Sequence, residues 1–175
     1  MDDVLVDEAL SVHYGQFYVS EAGTGNAEFE AAFRGQANGL LGAAVASFLH
    51  ITTGLHTGHV WITVSLHVDA PPRDPASEDE VEATFVVPPD VPIVLNGWAR
   101  SWVRPLPLAA GPYRVRLSAQ GMDQARAADT LRDEAEPLDR YHLRFWPAPA
   151  KPDTILRQTS AVAAYWHRWV AERTE

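Results

Sequence analysis

Four histidines, His50, His56, His59 and His67, fall within one short stretch of this chain. His56 and His59 flank Thr57-Gly58, and His50 and His67 sit on the runs to either side. A tight hairpin would bring imidazoles together there, and imidazole suits zinc, copper or nickel. The chain has no cysteine, and no carboxylate stands at a ligand spacing beside the pair. Spacings that offer only two ligands arise by chance. The four are therefore read as hairpin histidines and no metal is assigned, with a metal-dependent enzyme at His56 and His59 kept as the alternative. A nucleophilic triad needs a serine or cysteine, a base and an orienting acid. Ser, His and Asp occur, but no Gly-x-Ser-x-Gly elbow does. The glycine-rich runs at 23–26 and 35–39 lack the lysine-hydroxyl pattern of a phosphate loop and read as loops. Paired carboxylates for glycosidase work would have to come from Glu28, Glu30 or the 74–82 stretch, and sequence does not set their separation. No catalytic residue and no cofactor is assigned.

Charge points elsewhere. The formal net charge of −9 argues against direct binding to nucleic acid, whose phosphates need a basic face. Between Asp69 and Asp90 the acids Asp69, Asp74, Glu78, Asp79, Glu80, Glu82 and Asp90 face Arg73 alone, and a second acidic stretch runs from Asp129 to Asp139. Such runs serve as solvated loops or as a surface for a basic partner. Glu78, Asp79, Glu80 and Glu82 are the acidic candidates for that surface. Trp61 and Trp146 join them because both fall on the polar side of their strands, and outward tryptophans occur at binding hot spots. A second sheet or a helix laid over them would explain the same placement.

The elements that carry these residues show a period of two. Val60, Ile62, Val64, Leu66 and Val68 alternate with His59, Trp61, Thr63, Ser65 and His67, so one face enters a core and the other does not. The same alternation recurs at 80–87, 113–120 and 140–146. Ser11–Ser20 and Ala44–Thr52 read as further strands, the second apolar on both faces, and 44–68 reads as an antiparallel hairpin around a short glycine turn. Ile93–Leu95 and Trp98–Val103 are shorter strand candidates. Ala27–Phe33 predicts helical turns behind Asn26, and 122–132 a short surface helix capped by Asp123. Pro147, Pro149 and Pro152 form a stiff linker over 147–152. The period then changes: Val162, Trp166, Trp169 and Val170 share one helical face, with Ser160 as N-cap, in a helix over about 160–174.

Three places resemble the competence protein J family, whose described member inhibits a nuclease acting on DNA that enters the cell. Tyr14-Gly-Gln16-Phe17-Tyr-Val19 is similar to that family's Tyr-x-Gln-Phe-x-Val strand. The strand, short turn and second strand of 44–68 are the next. Leu108-Ala-Ala-Gly111-Pro-Tyr113-Arg-Val115 is similar to its Leu-Pro-x-Gly-x-Tyr approach to a late strand. The order is comparable over 11–146. The acidic connection at 69–82, the 122–138 insertion and the tail after Pro147 depart from the family pattern. The tail and Phe145-Trp-Pro147 also resemble small actinobacterial proteins of unassigned role. The resemblance implies a small cytoplasmic β-sandwich that inhibits another protein, and it supplies no catalytic residues.

Many short strands, few helices and no βαβ rhythm predict a mainly β protein, an antiparallel β-sandwich with a C-terminal α-helix. The whole chain, 1–175, reads as one domain. The acidic N-terminus is unlike a signal peptide, and no apolar run approaches the ~20 residues of a spanning helix. The expected role is non-catalytic binding of a protein partner, a basic nuclease or toxin, in the cytoplasm, without direct nucleic-acid or membrane contact. The other readings are an enzyme and a structural subunit that forms a homodimer through the tail.

Overall fold

The computed structural model describes residues 2–173. The chain runs β1 (Asp3–Val12), β2 (Gln16–Glu21), α1 (Phe29–Ala32), β3 (Leu41–Gly42), β4 (Phe48–Thr52), β5 (Gly58–Leu66), β6 (Asp79–Val87) and β7 (Ile93–Gly97). It continues through β8 (Val103–Leu106), β9 (Gly111–Gln120), α2 (Met122–Ala128), β10 (Arg140–Pro147), β11 (Thr154–Arg157) and α3 (Ala161–Ala171). The strands form a six-stranded sheet, β1-β5-β10-β9-β6-β11, and a five-stranded sheet, β3-β4-β2-β7-β8. This is the sandwich with a C-terminal helix that the alternation predicts. The core lies between the sheets, where Val60, Ile62, Val64, Val81, Phe85, Leu117, Leu143 and Phe145 meet Phe17, Val19, Leu49, Ile51 and Leu95.

Several elements differ from the sequence expectation. Ser11–Ser20 is two strands, because Tyr14 and Gly15 turn through left-handed backbone at φ 58° and 64°. β1 also reaches back through the acidic N-terminus, with a bulge between Val4 and Val6. The 44–68 hairpin does not form. β4 pairs with β2 and β3, while β5 pairs with β1 and β10, in different sheets. The short turn is a buried crossing: the Tyr141 hydroxyl accepts Gly54 N–H at 2.7 Å and Asp139 accepts Leu55 N–H at 3.1 Å. Every named strand pair is antiparallel except β5 with β10, which is parallel because β10 enters between β5 and β9. Leu66 ends β5, and Val68 is 68% exposed. Residues 98–100 form a 3-10 turn rather than a strand. After the proline segment, β11 adds an edge to β6 that the sequence reading lacked.

Burial also produces two buried titratable groups at this crossing. Asp139 is held above its ordinary value chiefly by burial, and burial with the Asp139 charge raises Tyr141 well above its own. The Tyr141 hydroxyl donates to Asp139 at 2.5 Å, and the bonds that this pair accepts from Gly54 and Leu55 pin the crossing to β10.

The helix α3 starts as predicted, with the Ser160 hydroxyl accepting Ala163 N–H at 3.0 Å. Asp123 does not cap its own helix. It accepts Ala161 and Val162 N–H, both at 2.9 Å, from the start of α3. The free amides of a helix N-terminus are thereby satisfied from a neighbouring helix. Val162, Ala163, His167 and Val170 are buried, while Trp166 and Trp169 are half-buried. With Phe29 and Phe33 those tryptophans cover the outer side of the five-stranded sheet around His50. Phe29 and Phe33 belong to a segment whose predicted Asn26 cap is absent: α1 starts after Glu28, which makes no side-chain cap bond. Among the described residues no helix is long and apolar enough to cross a membrane.

Candidate functional site

The outer face of the six-stranded sheet gathers most of the polar residues picked out from sequence. Period two sends Trp61, Thr63 and Ser65 of β5, Arg140, His142, Arg144 and Trp146 of β10, and Arg114, Arg116 and Ser118 of β9 to that side. Glu80 and Glu82 of β6 join them. The pairing sets Trp61 opposite Arg140, His142 opposite Ser118, Arg116 opposite Glu82 and Ser118 opposite Glu80. One half of this face is a closed ladder of charges and the other an open cleft.

In the ladder, the two oxygens of Glu82 are shared between Arg114 Nε at 3.0 Å and Arg116 Nε at 2.9 Å. Glu80 is 0% exposed and accepts from Arg73 Nε at 2.7 Å, the Asp74 amide at 3.2 Å and the Ser118 hydroxyl at 3.3 Å. Burial pushes Glu80 up, but the bonds from Arg73 and the Asp74 amide outweigh it and hold the carboxyl below its usual value. Arg144 donates to Ser118 at 2.8 Å. Trp146 is buried, with the Arg116 guanidinium 5.3 Å from its ring centre. Asp79 points the other way and accepts Thr159 and Ser160 N–H at 2.8 and 3.1 Å, and Glu78 accepts Gly121 N–H at 3.2 Å. The 74–82 stretch is therefore not a free acidic arm. Asp79 and Glu80 are buried and Glu82 is neutralised by two arginines, because half the stretch is strand and the 68–78 connection folds over it.

The cleft, of about 360 Å³, is lined by Asp7, Trp61, Thr63, Asp74, Gln120, Arg140 and His142 among others. Asp7 accepts the Trp61 indole N–H at 2.7 Å and the Thr63 hydroxyl at 2.9 Å. Those two bonds hold its carboxyl below the ordinary range, so it is ionised at neutral pH. Arg140 lies over the Trp61 ring at 5.4 Å. Beside the cleft runs a chain of hydrogen bonds that sequence reasoning missed. Asp2 meets His67 Nδ1 at 2.8 Å, His67 Nε2 meets Ser65 Oγ at 2.8 Å, and Ser65 Oγ meets His142 Nε2 at 2.7 Å. One hydroxyl carries one proton, so it donates to one imidazole and accepts from the other. Burial, then Arg144, pushes His142 down to about 4, so it is neutral at pH 7. Ser65 is 2% exposed and engaged on both sides, so the chain clamps β5 to β10 and does not open a nucleophile to the cleft. The Ser65-x-His67 spacing was readable from a strand, but His142 arrives only through the parallel pairing.

The histidines of the hairpin expectation are not gathered. His50 is buried among aromatics, His56 bonds Thr57 at 2.8 Å, His59 lies 3.8 Å from Asp133, and His67 is bound to Ser65. Among the described residues no group of three or more His, Asp or Glu is placed to share a metal ion. The second stretch keeps Asp129, Asp133, Glu134 and Glu136 exposed, attached beside His56 and His59.

No family model matches the chain, and no curated protein matches it in sequence. Solved structures do. ComJ from Bacillus subtilis, described as an inhibitor of the DNA degrading activity of NucA, superposes with a TM-score of 0.58 at 17% identity. That match covers 85% of this chain and 99% of ComJ. A protein described as crocagin biosynthetic gene J superposes with a TM-score of 0.55 at 14% identity, again over 85% of this chain and 99% of the other. At such identities the likeness is one of fold.

Proposed function

We propose that this protein is a non-catalytic binding module that neutralises a nuclease or toxin with a basic surface. The observation that carries the reading is the likeness of fold to a nuclease inhibitor over nearly the whole of that inhibitor. The surface supports it. Ionised Asp7 beside Trp61 offers a carboxylate and an aromatic wall at an open cleft, and the exposed acids of 129–136 lie beyond the same end of β5. Opposite charge speeds encounter and selects the partner. Trp61 and Glu78 would meet the partner, while Glu80, Glu82 and Trp146 hold the face in shape from beneath.

The test is DNA degradation by NucA and by a panel of basic nucleases, with and without the purified full chain. Suppression of one of them that saturates at a fixed protein-to-nuclease ratio, with a complex on size exclusion, is the expected result. Undiminished degradation by every nuclease and no complex would overturn the reading.

A further inference from the structure

At one end of the sandwich, two large exposed side chains meet with their rings tilted by 60°. Tyr14 is 61% exposed and Trp98 40%, with ring centres 4.9 Å apart, and His56 meets the Tyr14 ring edge-on at 5.4 Å. The backbone beneath them is costly. His13 and Gln16 bridge across Tyr14 and Gly15, whose φ values of 58° and 64° are those of a two-residue turn that favours Asn-Gly. A bulky side chain at positive φ is a rare outlier. Trp98 is followed by Ala99 and Arg100 at φ 49° and 57°, again without glycine. The fold recovers little from the Tyr14 ring, whose hydroxyl has no hydrogen bond among the described residues. Strain of this kind collects where a surface binds something.

The surroundings say what. Asp129 O accepts the N–H groups of His56 and Thr57 at 3.0 and 3.1 Å, which fixes the acidic 129–136 loop to this same end. Across the rings, a hollow of about 460 Å³ lined by Trp98, Phe29 and Glu28 adds an apolar slot with a carboxylate. The cation on this turn, Arg100, is turned away to Thr24 O at 3.3 Å. An aromatic centre within an acidic rim matches a cation on a hydrocarbon stem, since arginine and lysine lie across aromatic faces. The same carboxylates repel the phosphates of a stacked nucleic acid.

We infer that Tyr14, Trp98 and His56 form the anchor of a docking surface for a basic protein, with an arginine or lysine of the partner lying across the two rings. This rests on the binding-module reading above and adds a contact at the sandwich end.

The test uses the full ¹⁵N-labelled chain and a nine-arginine peptide at physiological salt, where attraction between exposed charges is screened beyond about 8 Å. The expected result is movement of the Trp98 indole signal and of the Tyr14, His56 and Asp129 amides. Trp98→Ala and Tyr14→Gly should each weaken the peptide at least tenfold. Tyr14→Gly should leave the thermal midpoint unchanged or higher, because the steric strain that glycine relieves at this φ offsets its greater freedom in the unfolded chain. Signals moving only on the outer sheet face, or variants that bind as the wild type does, would overturn the inference. The nuclease assay separates the two proposals. Inhibition untouched by both variants removes the docking surface and leaves the inhibitor. Peptide bound at the rings, with no nuclease inhibited, removes the inhibitor and leaves the surface.

Discussion

The two sheets share one core and finish their other faces in opposite ways. The five-stranded sheet lays Tyr18, Phe48 and His50 against Phe29, Phe33, Trp166 and Trp169, an aromatic cover brought by α1 and α3. The six-stranded sheet sets Arg114, Arg116 and Arg144 among Glu80, Glu82 and Ser118, then opens into a cleft. The aromatic cover gains from burial itself, which is non-directional and forgiving. The charged ladder gains only if each desolvated group finds its partner, because taking ions out of water costs nearly what their pairing returns. A face built that way contributes shape more than stability. That suits the binding surface proposed above, and the contrast can be broken in several places.

The largest effect belongs to the aromatic cover. Phe33, 2% exposed, touches Phe29 and His50. Phe33→Ala should cost about 3–5 kcal/mol in chemical denaturation. A loss below ~1 kcal/mol would mean that α1 is not part of the folded unit. On the ladder, Glu82→Ala strands Arg114 and Arg116, only 4% and 6% exposed, and should cost about 3 kcal/mol. Replacing Glu82, Arg114 and Arg116 together with apolar side chains of similar volume should recover most of that loss. If the triple variant is as unstable as the single one, the ladder is a source of stability after all.

Acid should tell the faces apart next. Burial pushes His50 from its ordinary 6.5 down to about 3, so the folded state keeps it neutral while the unfolded chain binds a proton. The unfolded state therefore holds more protons below pH 6.5, and stability falls as pH drops from there toward 3. The slope is roughly 1.4 kcal/mol per pH unit for one such histidine. His142 acts in the same direction over the narrower window down to about 4, and the depressed Glu80 adds to the acid loss. Urea titrations at pH 7 and 5 should show His50→Leu losing less stability on acidification than the wild type. An equal loss would place the proton uptake elsewhere.

The smallest effect on folding should come from Trp61, at the open cleft. Trp61→Ala should change stability by ~1 kcal/mol or less, yet weaken the proposed nuclease complex about tenfold, or ~1.4 kcal/mol, in a competition assay. Equal losses in folding and binding would make Trp61 another structural residue like Trp146.

Strands β5, β6, β9 and β10 were legible because alternation is local, and so was the Ser160 cap. β1 was not, because its outward acids look like a disordered N-terminus until β5 supplies their partners. Glu80 and Glu82 are candidates by charge and Trp61 and Trp146 by strand parity, and the structure sets all four on the outer face of the six-stranded sheet. Which of them stay open to solvent was not legible: Glu80 is covered by Arg73 from the connection that precedes β6, and Glu82 and Trp146 lie with arginines of β9. The Tyr14-Gly15 turn is hidden in the sequence, since Tyr and the residues after it favour a strand.

The residue order determined the faces, the core positions and the closing helix, because pleat and helix periods depend only on near neighbours. Tertiary structure decided which strands pair, that β5 and β10 run parallel, that 53–57 crosses from one sheet to the other, and which charges are spent internally. Those outcomes depend on groups far apart in the chain meeting in space, where burial makes an unpaired charge costly and leaves free only the carboxylates that no arginine reaches.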